Sequence, residues 1–213
     1  MKGSSHAAIG AAAGAIAGYQ VQPDLYTVIV SSLVGGASAL VPDLDTNGLA
    51  SNRITISKKF TQWLMQFVGI GILVAIAYQF FTTGFTPSII LYAGIGLLFF
   101  IVSRFITQRR MLTLTGIMVM WLGIVMHQST GILLAGSYIV IASFLPHRSY
   151  THSLLGLAFY AFILSHLQQE WAFEGLFVAG IAGYASHLIA DMKLLPMNRR
   201  GVKWFAPLWN KEL

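Results

Sequence analysis

The densest group of chemically versatile side chains lies in residues 147–153, with the sequence HRSYTHS. Two imidazoles, a guanidinium and several hydroxyl groups stand there between two long apolar runs. Imidazole nitrogens bind metal ions and transfer protons near neutral pH, and a guanidinium matches the geometry of a phosphate. Only 9% of the residues in this chain are charged. Such a concentration of polar groups between apolar runs therefore indicates a functional site.

Three further polar clusters lie at the ends of apolar runs. The first contains His6, the second is the sequence PDLD at residues 42–45, and the third contains His187 and Asp191. A spacing of four places His187 and Asp191 on one helix face, where both can bind the same ion. The two aspartates of PDLD would not share a helix face, but a bent loop can direct both inward. The predicted metal ligands are His6, Asp43, Asp45, His147, His152, His187 and Asp191.

The types of ligand restrict the metal. The chain contains no cysteine, so the ligands must be imidazoles and carboxylates. We expect Zn²⁺ first, with Mn²⁺ or Fe²⁺ as alternatives. The candidate ligands exceed what one tetrahedral ion binds, so one or two ions are expected. Paired metal ions typically activate a water molecule and hold a phosphate during hydrolysis. Thr151 and Ser153 are expected to cap helices or to support the ligands.

The composition predicts an integral membrane protein. Of 213 residues, 56% are hydrophobic, and the mean hydropathy is +0.70. Exposing that much apolar surface to water would cost about 25 cal/mol per Å². Several apolar runs approach the ~20 residues that a membrane-spanning helix needs, so the predicted fold is an all-α polytopic helical bundle in a single domain. About eight transmembrane or membrane-embedded helices are expected, at residues 6–19, 25–41, 60–81, 87–103, 111–126, 131–145, 153–167 and 173–191 of the domain 1–213.

Three local features refine this prediction. Ser4 or Ser5 is placed to cap the first helix. Gly10, Gly14 and Gly18 recur every four residues, which predicts a face of small residues that another helix can approach closely. The basic and aromatic tail at residues 192–213 suits an interface with anionic lipid headgroups.

The loop charges predict an orientation in the membrane. All 13 Lys and Arg residues fall at the N-terminus, in alternate loops or in the tail. This pattern is typical of a protein with both termini in the cytoplasm. Topology thus explains the net charge of +6, and membrane lipid rather than nucleic acid is the expected partner. The predicted ligands then lie at the cytoplasmic face, whereas His127 and His166 lie at the opposite face.

The order of these motifs resembles the YdjM-like family, described as LexA-regulated, inner-membrane, metal-dependent hydrolases. The matching stretches are residues 5–6, 42–45, 147–153 and 183–191. The family pattern has His where this chain has Thr46 and usually has Gly at Ser149. The resemblance implies a multi-pass protein of the bacterial inner membrane with a hydrolytic metal site at the seven predicted ligands. It also implies a distant similarity to zinc-dependent phospholipases C, and hence phosphoester chemistry.

Together, these patterns predict a metal-dependent hydrolase that cleaves a phosphoester, including that of a lipid headgroup, by metal-activated water at the cytoplasmic face. Asp43 or Asp45 is expected to act as a base or as a ligand. Arg148 could bind a phosphate oxygen, or it could be a charge that sets topology. Two alternatives remain open: a metal-binding membrane transporter, and a non-catalytic membrane protein whose His and Asp side chains cap helices.

Overall fold

The computed structural model describes residues 1–46, 48–126, 128–193, 201–209 and 211–212. Within these residues the secondary structure is entirely helical, as predicted. One 3₁₀ turn, Pro42–Asp45, follows α2, and another, Tyr150–His152, precedes α8. The α-helices are α1 Gly3–Val21, α2 Leu25–Ser38, α3 Leu49–Ile54, α4 Lys58–Thr83, α5 Pro87–Arg104, α6 Gln108–Val125, α7 Thr130–Phe144, α8 Leu154–Trp171 and α9 Gly175–Ala190.

Two elements differ from the predicted ones. Helix α1 begins at Gly3 and has no side-chain cap, so the prediction that Ser4 or Ser5 caps it is wrong. His6 consequently lies inside the first turns of the helix, where the helix can direct its side chain to one face. The predicted loop after α2 contains the short helix α3, which was not expected because it has only one turn and a half and no apolar periodicity.

The structure supports insertion into a membrane. Within the described residues, three stretches are long and apolar enough to cross a bilayer, namely Leu25–Asp45, Lys58–Thr83 and Pro87–Arg104. Two further apolar helices, Thr130–Phe144 and Gly175–Ala190, are shorter. A total of eight crossings stays a prediction.

The chain divides into two compact units. The smaller one, Thr55–Met111, contains α4 and α5, which pack closely at Gly69 and Gly96. Most large apolar side chains on these two helices point outward, and Phe81 is 84% exposed. Such a surface suits lipid surroundings, because apolar side chains that face hydrocarbon are not exposed to water.

The larger unit, Met1–Ile54 with Leu112–Leu213, contains every predicted ligand. Its helices α1, α2 and α9 approach each other through glycines. A Cβ added at Gly14 or Gly183 would collide with the backbone near Gly35. Gly10, Gly14 and Gly18 are all buried, which confirms the predicted packing face. Because the backbones touch, these helices hold the side chains at their ends in fixed positions.

The C-terminal segment packs on the protein as well as facing outward. Val202 is fully buried, and the backbone N–H of Leu154 donates to the carbonyl of Trp204 over 2.9 Å. Leu208 is 95% exposed and Trp209 is 54% exposed. Of the predicted interfacial tail, the described part is therefore anchored to the start of α8, and its aromatic end is available for a membrane surface.

Candidate metal centre

Four segments of the larger unit bring the predicted ligands together. Helix α1 contributes a histidine from its first turns, and the 3₁₀ turn after α2 contributes two aspartates. The α7–α8 connection and its 3₁₀ turn contribute two more histidines. The end of α9 contributes the pair spaced by four residues. All seven predicted ligands lie in one connected network of side chains: His6, Asp43, Asp45, His147, His152, His187 and Asp191.

A first group of three potential ligands is wholly buried and consists of His6, His187 and Asp191. Their ligand atoms lie within 4.8 Å of one another. His6 Nε2 is 3.3 Å from Asp191 Oδ1, and His187 Nε2 is 3.8 Å from Asp191 Oδ2. The rings of His6 and His187 stack with their centroids 4.0 Å apart. Helix packing thus joins residues that are far apart in the chain.

A second group consists of Asp43, His147 and His152, again with ligand atoms within 4.8 Å of one another. His152 is fully buried, whereas the side chain of His147 is 44% exposed. His152 Nε2 lies 3.5 Å from Asp43 Oδ1. This group therefore extends from the protein interior to the surface.

The two groups adjoin at two buried histidines. His187 Nε2 is 3.3 Å from His152 Nε2 and 3.8 Å from Asp43 Oδ1. A carboxylate of one group therefore faces an imidazole of the other. The two groups form a continuous cluster in which ions could be bound side by side.

Asp45 lies behind the histidines. Its fully buried carboxylate accepts a hydrogen bond from Thr151 Oγ1 over 2.7 Å and one from His147 Nδ1 over 3.0 Å. His152 Nδ1 is 3.6 Å from the same carboxylate. Thr151 thus contacts two of the candidate ligands, the position expected of a supporting residue. Asp45 is placed to orient two imidazoles, as carboxylates behind metal-binding histidines commonly do.

The hydrogen bonds determine which ring nitrogens point inward. His187 Nδ1 donates to the carbonyl of Ala39 over 2.7 Å, so in the neutral ring Nε2 carries a lone pair. The hydroxyl of Thr151 has a single proton, which it donates to Asp45. In the 3.1 Å contact between Thr151 Oγ1 and His152 Nδ1, the ring nitrogen must therefore be the donor. The lone pairs on Nε2 of His152 and His187 consequently face each other over 3.3 Å.

Charge and proton affinity differ across the centre. The hydrogen bond that His147 donates to the carboxylate of Asp45 raises the pKa of His147. Burial would raise the pKa of Asp191, but the hydrogen bond with His6 and the charges of nearby imidazoles hold that pKa well below its usual range. Arg148 has a left-handed backbone with φ of 60° and places Nη2 3.5 Å from Asp191 Oδ2. The predicted phosphate-binding cation thus lies against a candidate ligand.

Two contributors to the centre were missed from the sequence. Tyr184 is fully buried, and its hydroxyl donates a hydrogen bond to the carbonyl of Thr151. A second hydrogen bond, of 2.9 Å, joins the hydroxyls of Tyr184 and Tyr138. The carbonyl of Ala39 fixes the tautomer of His187. Tyr184 lies about one helical turn before His187, so a signal for it existed. A backbone carbonyl at residue 39 leaves no such signal.

Four other residues that the sequence analysis singled out are Ser153, Thr46, His166 and His127. Ser153 caps α8 by accepting from the N–H of Gly156 over 3.4 Å, as predicted. Thr46, where the family pattern has His, closes the 3₁₀ turn by donating to the carbonyl of Asp43 over 2.8 Å. His166 lies edge-on against Phe162 on α8, in neither ligand group. His127 lies outside the described residues.

The fold and the site define an all-helical membrane protein with a cluster of His and Asp side chains that could hold metal. Residues 129–213 match the family model described as YdjM inner membrane protein. This match confirms the predicted family resemblance over residues 129–213, which include the two histidines of the α7–α8 connection and the pair on α9. The motifs at residues 5–6 and 42–45 lie outside the matched part. No curated protein and no solved structure matches the chain.

Proposed function

We propose that this protein is a membrane-embedded, metal-dependent hydrolase that cleaves a phosphoester at the cytoplasmic face. The observation that carries this assignment is the pair of inward-facing Nε2 atoms of His152 and His187, 3.3 Å apart beside the carboxylate of Asp43. Lone pairs and a carboxylate at such distances repel each other in a buried site unless a proton or a metal cation lies between them.

The residues present fit a divalent metal. His6 Nδ1 is buried and has no hydrogen-bond partner within the described residues, which is a cost that only bound solvent or an ion would remove. Each group of three offers nitrogen and oxygen ligands of the type that Zn²⁺ prefers, with Mn²⁺ and Fe²⁺ as alternatives. Three protein ligands leave room for water or substrate, as in hydrolytic sites. A bound divalent ion would supply Lewis acidity for phosphoester hydrolysis.

The chain's own groups have separate tasks in this reaction. The partly exposed His147 and Asp43 mark the open side, where the phosphoester enters. Arg148 supplies a guanidinium for a phosphate oxygen. Asp45 holds His147 directly, and His152 through Thr151, in the tautomer that keeps Nε2 free for the ion, and it can take up a proton through His147.

The location of the site follows from the pattern of basic loops. Arg53 lies on α3, the helix that follows the turn with Asp43, and Arg148 is next to His147 in the chain. Basic residues near membrane helices favour the cytoplasmic side. The match with an inner-membrane family supports the same compartment. We therefore place the hydrolytic site at the cytoplasmic surface of the inner membrane, with both termini on that side.

Metal analysis of the purified protein and a phosphoesterase assay test this function together. We expect bound Zn or Mn and hydrolysis of soluble or lipid phosphoesters, lost with a chelator and restored by the metal. His166→Ala serves as a histidine control that lies in neither ligand group. Metal transport across proteoliposomes without hydrolysis of any phosphoester would favour a transporter instead, and protein that binds no metal would favour a structural role.

A further inference from the structure

An apolar cleft of about 440 Å³ lies between α7 and α8. Its walls include Tyr138, Ile141 and Phe159, and Tyr150 and Thr151 of the 3₁₀ turn also line it. Thr151 is the residue whose hydroxyl donates to Asp45 and which directly precedes His152. This cleft is therefore lined by the residue next in the chain to His152, a candidate metal ligand.

A second apolar cleft, of about 310 Å³, lies among α2, α3, α7 and α8. Leu44 lines it, and this residue stands between Asp43 and Asp45 in the other 3₁₀ turn. Arg53 also lines it and is exposed, so a cation stands at its surface. This cleft likewise adjoins a segment that carries ligands.

The two clefts share one wall. Tyr138 lines both of them, and its hydroxyl is hydrogen-bonded to Tyr184, which in turn holds the carbonyl of Thr151. Each cleft falls within the size range of ligand pockets, about 300–1,000 Å³. Both apolar clefts are thus lined by one tyrosine, and each is also lined by a residue of one of the two ligand-bearing turns. This is the layout of a binding site with two branches.

We propose that the substrate is a phosphoester lipid with two hydrocarbon chains, with one chain in each cleft and the phosphate at the metal centre. This inference rests on the proposed function and names its substrate class. Hydrocarbon tails are as apolar as leucine, so moving a chain from the bilayer into a cleft gains little affinity. The clefts act by position: two held chains fix the phosphate against His147, His152 and Asp43. Arg53 and Arg148 add positive charge near the phosphate.

Lipid-filled grooves occur on any membrane protein, so the first test compares the clefts with ordinary lipid-facing surface. The protein is reconstituted with a two-chain phospholipid that carries a photoreactive diazirine in each chain, and labelled residues are mapped by mass spectrometry. We expect strong labelling near Ile141 and Ile139, above that of Phe67, although Phe67 is the more exposed side chain. Equal labelling of all apolar surface would overturn the assignment.

Cleft-filling variants connect occupancy to turnover. Ile141→Trp narrows the first cleft and Ala37→Phe narrows the second, at positions exposed enough to tolerate the change. Ile124→Trp and Ala12→Phe make the same changes at exposed helix positions that line neither cleft. Each cleft variant should lose label in its own cleft and slow hydrolysis of a two-chain phospholipid roughly tenfold or more. Bound metal and hydrolysis of a water-soluble phosphodiester should not change.

The outcomes separate this inference from the proposed function. If the soluble phosphodiester is hydrolysed but the cleft variants cleave the two-chain lipid at the normal rate, the two-chain substrate is wrong and the hydrolase stands. If a single-chain lysophospholipid is cleaved as fast as the two-chain lipid, the two-chain substrate is wrong as well. If neither soluble nor lipid phosphoester is cleaved by metal-loaded protein, both fail together.

Discussion

Each buried histidine at the junction of the two groups has one ring nitrogen engaged by the protein and the other directed inward. Ala39 and Thr151 accept from Nδ1 of His187 and His152, and neither acceptor is itself a candidate ligand. Such partners fix ring orientation and tautomer, and they raise the affinity of the inward nitrogen for a metal. Asp45 belongs to this supporting set by its contacts, whereas Asp43 faces the inward nitrogens.

Asp45→Asn should therefore weaken metal binding without abolishing it. The amide keeps the size of the carboxylate but loses its charge, so His147 and His152 are held less firmly, and affinity should fall about 10–100-fold. Asp43→Asn should release metal from the second group altogether. Isothermal titration with Zn²⁺ measures both variants. If Asp43→Asn and Asp45→Asn bound Zn²⁺ with the same affinity, the separate roles of the two aspartates would be contradicted.

The first group has its own test. His187→Ala and Asp191→Ala each remove a buried ligand that faces His6, so bound Zn or Mn should fall to a small fraction of the normal amount. His166→Ala should leave the metal content unchanged, because that ring contacts Phe162 instead. Metal per protein is measured after size-exclusion chromatography. Equal metal loss in all three variants would indicate general unfolding.

The raised pKa of His147 sets a pH dependence. A proton on this ring competes with metal, and the hydrogen bond to Asp45 holds the proton to higher pH than the ordinary value of about 6.5. As pH falls, metal should leave the second group while an unperturbed histidine would still be neutral. NMR titration of metal-free protein should show a His147 midpoint that moves to lower pH in Asp45→Asn. An unmoved midpoint would refute the coupling.

At the scale of helices, glycine contacts determine where the ligands meet. Gly183 on α9 lies against the backbone of Gly35 on α2, and Gly14 on α1 lies against the same residue. Four residues beyond Gly183, α9 carries His187, whose ring stacks on His6 of α1. Close backbone contact is therefore what allows two helices to bring their imidazoles together.

Gly183→Ala should damage both stability and metal binding. The added methyl would collide with the Gly35 carbonyl, and overpacking of this kind costs about 1–3 kcal/mol. Because α9 must shift, metal content should fall as well. Gly94→Ala, on α5, is the matched control, since no atom lies within 4 Å of its added Cβ. It should leave metal unchanged and raise stability slightly, by roughly 0.5–1 kcal/mol. Thermal unfolding in detergent measures both.

Helices and ligands differ in how far the sequence predicts them. Long apolar runs indicated every long helix, because membrane helices need continuous hydrophobicity. The short α3 carries no such signal. The seven candidate ligands were recognisable from residue type and position. The division of six of them into two groups of three, with Asp45 behind the histidines, was not. It depends on a 3₁₀ turn, in which Asp43 and Asp45 point in different directions, and on tertiary contacts between α1 and α9.

At the scale of the whole molecule, loop charge predicts the orientation. The chain contains no cysteine, so single cysteines can be introduced without background. Gln169→Cys, next to Glu170, whose carboxylate accepts a hydrogen bond from the backbone N–H of Gly131 near the start of α7, should react with an impermeant thiol reagent in intact cells. Asn52→Cys should react only after the membrane is permeabilised, because the basic loops are expected inside. The reverse pattern would move the metal centre to the other side of the membrane.

The stacking of His6 on His187 also has a consequence for biosynthesis. A ribosome makes α1 and α2 early, and these helices can pair at once through Gly14 and Gly35. The residues that His6 contacts in the folded protein lie about 180 residues further along the chain and are synthesised later. Until α9 inserts at Gly35, no complete first group exists. Any ion held by all three residues of that group would therefore be bound only after α9 is in place.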